Sequence, residues 1–105
     1  MAKAEIHPGN CGFTTNVDAT LDGDICRISI TGGCTAIQKL AQELTEVNPY
    51  KEISFRRNTP QVLLMGAKFC THAACPVPVG IIKAVEVAAG IALPMDVTIN
   101  LSGES

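Results

Sequence analysis

The chain has 105 residues, 47% of them hydrophobic and 17% charged, with eight Lys+Arg against ten Asp+Glu for a net charge of −2. That length and apolar fraction describe one ordered domain and exclude a disordered chain. The balance of charge, with Arg56-Arg57 as its longest cationic run, lacks the basic footprint of nucleic-acid binding, so no nucleic-acid partner is expected.

No apolar run is long enough to span a bilayer, and the first eight residues, Met1 to Pro8, lack the apolar stretch of a secretory signal. The expectation is a cytoplasmic protein with no membrane partner. Five cysteines are too few for a disulfide scaffold and odd in number, and in a reducing compartment they read as core fillers, metal ligands or reactive thiols.

In chain order, a short strand over Lys3–Ile6 comes first, on weak patterning. Residues 13–31 alternate strictly: Thr15, Val17, Ala19 and Leu21 on one parity, then Cys26, Ile28 and Ile30. The Asp22-Gly23 step between the runs favours a type I′ turn, so an antiparallel hairpin is expected. Parity places Cys26 with Ile28 and Ile30 in the core. After Gly32-Gly33, the residues Ile37, Leu40, Ala41, Leu44 and Val47 recur at helical spacing, predicting a helix over 35–47 that Asn48-Pro49 ends.

Residues 50–59 read as a polar connection. Thr59-Pro60 predicts an N-cap and first helical residue for a second helix over 60–69. Cys75-Pro76-Val77-Pro78 opens a third over 76–89, closed by Gly90. Met95, Val97, Ile99 and Leu101 then alternate with polar residues, predicting a final strand over 95–101. The fold class is α+β: a small, mostly antiparallel sheet with helices packed on one face.

Four cysteines fall at element boundaries. Cys11 precedes the hairpin and Cys34 follows it, so antiparallel geometry predicts that they are neighbours. Cys34 and Cys75 stand at helix N-termini, where the dipole favours a thiolate. Cys70-Thr71-His72-Ala73-Ala74-Cys75 adds Cys70 and His72 as donors, either of which could supply a fourth ligand. Flanking glycines free backbone N–H groups to bond a thiolate or sulfide. Four thiolates, or three and one imidazole, suit tetrahedral zinc or an iron–sulphur cluster, and the sequence does not choose between them.

Other residues read blandly: His7 as an exposed loop residue and spare ligand, Lys83 and Glu86 as a surface pair, Asp22 and Asp24 as turn residues. No phosphate loop, dinucleotide fingerprint or Ser-His-Asp arrangement is present.

The pattern Gly9-Asn10-Cys11, hairpin, Gly32-Gly33-Cys34-Thr35-Ala36-Ile37, then Ala74-Cys75-Pro76 and Gly80-Ile81-Ile82-Lys83-Ala84 resembles the TSCPD domain, a cysteine-rich domain found alone or at the C-terminus of some ribonucleotide reductases. The resemblance covers about residues 9–90, more poorly over 48–69, and implies metal ligation by Cys11, Cys34 and Cys75, with Cys70 as the fourth. The order of elements is also similar to the NifU/IscU-type iron–sulphur cluster scaffold, through Cys11-Gly12, Gly33-Cys34 with Ala36-Ile37, and His72/Cys75 with Lys83-Ala84. The scaffold's Asp after its first cysteine is Phe13 here, its adjoining His stands three residues before Cys75, and the Asp of the TSCPD motif is Val77.

The function expected is therefore a non-enzymatic metal- or iron–sulphur-binding domain with an unidentified protein partner. Two alternatives come from other classes. One is a thiol-redox or nucleophilic enzyme using Cys34 or Cys75 with His72 as base. The other is a protein-interaction module whose thiols are incidental. Unpaired strand edges also make a homodimer through strand pairing an available assembly.

Overall fold

The computed structural model describes residues 1–104. Four strands, β1 (Ala2–Ile6), β2 (Thr15–Asp22), β3 (Ile25–Gly32) and β4 (Glu46–Val47), form an antiparallel sheet in the order β1-β2-β3-β4. Four helices accompany it: α1 (Thr35–Glu43), α2 (Pro49–Glu52), α3 (Gln61–Phe69) and α4 (Val77–Ala88). Among the described residues, no helix is long and apolar enough to cross a membrane.

The expected α+β architecture is the one adopted. Strand parity sorts the sheet into two faces, with Ala4, Val17 and Ile30 in one cross-strand row and Ala2, Ala19 and Ile28 in the next. Cys26, paired with Val47, is fully buried, as its parity requires. Against this face pack Ile37 and Leu40 of α1, Val62 of α3, and Val77, Ile81 and Val85 of α4. Each such aliphatic side chain contributes about 1.5–3 kcal/mol through burial.

Several boundaries differ from expectation. The first strand is complete and holds the sheet edge. It lies under α4 so closely that a Cβ on Gly80 would stand 2.7 Å from Ile6 Cγ1. The hairpin turns on Gly23-Asp24, since Asp22 still pairs with Ile25. Gly23 has a φ of +64°, and among the described residues none other than glycine has a positive φ. This is the demand of a II′ turn, with glycine first, and not of the expected I′ turn.

α1 stops at Glu43, and Leu44 N–H closes on Leu40 O. Leu44 and Val47 are buried as their spacing implied, but Thr45 O accepts from Ile28 N at 2.8 Å and Glu46–Val47 pair with β3. A free strand edge thus captures what the helical period suggested. Asn48 caps α2 by accepting from Tyr50 N at 3.1 Å.

The expected strand over 95–101 does not join the sheet. Every described residue from Gly90 onward is exposed and none is in a strand. Alternation is a local property, whereas strand formation needs an edge to pair with.

Candidate functional site

β2 and β3 bring their start and end together, where Thr15 pairs with Gly32 and Gly33 N–H donates to Thr14 O at 3.0 Å. Gly33 is fixed there by need: its φ is +81°, and a Cβ would lie 2.7 Å from both Ile37 Cγ2 and Thr15 Oγ1. The chain leaves this pinch directly into Cys34, the N-cap residue of α1. Its thiol does not cap the helix, so it is free for other work. Thr15 is buried, and its hydroxyl has no hydrogen-bond partner, leaving an unsatisfied polar group beneath the Gly33-Cys34 step.

Cys70 is the C-cap residue of α3, its N–H bonded to Gly66 O at 2.8 Å. Cys75 ends a turn in which its N–H donates to His72 O at 3.2 Å. It stands one residue before Pro76, the N-cap of α4, slightly outside the helix start expected for it. α3 and α4 meet closely here because a Cβ on Gly66 would fall 2.9 Å from Pro78 Cγ.

Three of the predicted site residues converge. Burial pushes the Cys70 thiol up, and Cys75 and Cys34 add to the rise through like charge, with a hydrogen bond to Cys75 in the same direction. Both partners are therefore within electrostatic reach of Cys70, and Cys75 lines the same groove. All three are half-buried and packed on the rim of the core. An open groove of about 410 Å³ runs beside Cys70 and Cys75, with His72, Leu63 and Pro78 on its walls.

The other two candidates, Cys11 and His72, are exposed. Cys11 is exposed at the tip of the β1–β2 connection, in a turn closed by Gly12 N–H on Gly9 O at 2.9 Å. It precedes β2 at the end of the sheet where β3 leads into Cys34, and it does not join the thiol cluster. His72 lines the groove with its residue exposed. His7, the spare donor, is engaged elsewhere: its Nε2 lies 3.0 Å from Glu5 Oε1 and its Nδ1 3.1 Å from Thr14 Oγ1. Among the described residues, no three His, Cys, Asp or Glu side chains are arranged as a metal-binding group. The donor chemistry fits a soft metal, but the thiols as placed do not form a closed cage.

Sequence reasoning missed one structural device, at the other end of α3 from Cys70. Glu52 is buried, and its two oxygens accept from Gln61 N at 3.1 Å and Val62 N at 2.8 Å. Pro60, not Thr59, is the N-cap residue of α3 and offers no side-chain bond. A carboxylate from nine residues upstream does the capping instead. No capping box or local spacing signals such a partner.

Fold and site together define a small α+β domain with three thiols gathered at the junctions of its helices. The chain belongs to a family of unknown function, DUF6951, whose sequence profile matches residues 2–101. Among curated proteins and among solved structures nothing matches it.

Proposed function

We propose that the chain is a small, non-enzymatic domain that binds zinc or an iron–sulphur cluster through Cys34, Cys70 and Cys75, with Cys11 or His72 completing the set. The observation that carries this reading is the grouping of three half-buried thiols against one core, with Cys70 and Cys75 lining one groove and Cys34 within electrostatic reach of Cys70. Soft thiolates in this number select zinc or iron–sulphur ligation. The resemblance to the TSCPD domain implies Cys11, Cys34 and Cys75 with Cys70 as the fourth ligand, and the resemblance to NifU/IscU-type scaffolds implies Cys11, Cys34 and His72/Cys75, so both share Cys34 and Cys75 with this set. A reducing, cytoplasmic location would keep these thiols available for a metal.

Metal analysis of anaerobically purified protein tests the reading. Brown protein with visible absorbance identifies a cluster, and colourless protein with one zinc per chain identifies a zinc site. Cys34→Ser, Cys70→Ser and Cys75→Ser each lower the metal content, while Cys26→Ala retains it. Protein that folds fully and takes up neither metal overturns the proposal.

The placement of two free thiols, Cys70 and Cys75, on one groove also favours a second reading, a dithiol–disulfide couple. Its oxidation forms one S–S bond and releases two protons and two electrons, which a low-molecular-weight disulfide accepts as it is reduced to two thiols. A Cys70–Cys75 disulfide in peptide mass analysis, formed under such an oxidant and reversed by dithiol, separates this reading from metal binding.

A further inference from the structure

The segment after α4 has the side-chain pattern of a strand and the burial of none. Met95, Val97, Ile99 and Leu101 share one parity and are 77%, 60%, 77% and 90% exposed, and Asp96, Thr98 and Asn100 hold the other parity. Seven residues of such alternation fit a half-buried strand.

The sheet, for its part, has a long free edge. β1 pairs with β2 alone, leaving the outer edge of Ala2–Ile6 unpaired along five residues. The opposite edge strand, β4, has only two residues. The core face of β1 carries the small side chains Ala2 and Ala4, with Ala4 only half-buried, while Lys3 and Glu5 face solvent. A strand added here with matching parity would lay its apolar side chains beside those alanines, continuing the face that α4 covers. Its polar side chains would join Lys3 and Glu5 on the opposite face.

We infer that residues 95–101 of one molecule add to the β1 edge of a second copy, and that the second copy returns the same contact. The partner is another copy because each chain presents both halves of the pairing, the open edge and the unpaired strand. A reciprocal exchange satisfies both at once under two-fold symmetry, whereas a foreign strand on β1 would leave the apolar segment uncovered. The matched family span starts at Ala2, the first residue of β1, and ends at Leu101, the last apolar residue of the alternating run.

Sedimentation and light scattering of the full chain over a range of concentrations test this. The expected mass is twice the 11.0 kDa of one chain. The full-length double variant Val97→Asp/Ile99→Asp changes only exposed residues and is expected to stay folded by circular dichroism while its mass halves. Ile99→Pro, which removes a ladder donor, is expected to weaken the dimer at least tenfold in Kd. A full chain that remains monomeric at millimolar concentration overturns the inference. So does a dimer that both variants leave intact, since another surface must then form it. Neither readout depends on metal content, so this inference and the metal-binding proposal can fail separately.

Discussion

A carboxylate removed from water needs donors that replace the lost solvent, and Glu52 finds them in the first two N–H groups of α3. Charge-assisted bonds at a helix N-terminus add the favourable dipole to the hydrogen bonds themselves. Glu52→Gln keeps the shape but loses the charge and turns a donor amide toward N–H groups. It should cost about 1–3 kcal/mol, read as a lower denaturation midpoint at unchanged m-value, and Glu52→Ala should cost at least as much. Cys26 makes a second prediction at this scale. Burial pushes its thiol up, more than a backbone hydrogen bond with Thr20 lowers it. A raised thiol pKa stabilises the fold below the unfolded-state value of about 8.5, and that stability is lost as pH rises from there toward the folded-state value. Denaturation midpoints should therefore fall on the alkaline side, and Cys26→Ala should flatten that part of the decline. Strand parity makes the burial of Cys26 legible in the sequence. The role of Glu52 is not legible, because its partners lie across an unpatterned turn.

Elements here end where a competing partner outbids the local pattern. The spacing Ile37, Leu40, Leu44, Val47 continues a helical stripe past Glu43, yet an open edge on β3 takes residues 45–47 into the sheet. The junction from β3 to α1 depends on a glycine for two reasons at once, its positive φ and the lack of room for a Cβ. Gly12 has the first constraint, with a φ of +72°, but open space around it. Gly12→Ala should cost about 1–2 kcal/mol for the left-handed backbone alone. Gly33→Ala should cost clearly more, because Ile37 or the Thr15 hydroxyl must move as well. Thermal melts of the two variants side by side check the ordering, and equal losses would show that the pinch beneath Cys34 relaxes freely. If the metal-binding reading holds, Gly33→Ala should also reduce metal uptake, since it displaces the residue that leads into Cys34.

At the scale of the whole molecule, a site built from the β3–α1 junction, the end of α3 and the entry to α4 ties distant parts of the chain together. A metal bound there would stabilise only the folded state. By linkage, free metal at one hundred times its Kd adds about 2.7 kcal/mol. Melting temperature should rise with free zinc under anaerobic, reduced conditions and fall back with chelator. Cys34→Ser should lose the response while Cys26→Ala keeps it. A melting temperature indifferent to both zinc and chelator would count against any resident metal.

Patterns of period two and period 3.6, together with proline and glycine punctuation, were enough to determine the α+β class, the hairpin, three helix positions and the interior place of Cys26. These are consequences of backbone geometry acting over a few residues. The tertiary structure alone decided which candidates meet. It gathered Cys34, Cys70 and Cys75 and left Cys11 and His72 exposed, because side-chain proximity depends on how α1, α3 and α4 pack over the sheet. It also left Met95 to Leu101 unpaired, since a strand pattern becomes a strand only where an edge receives it.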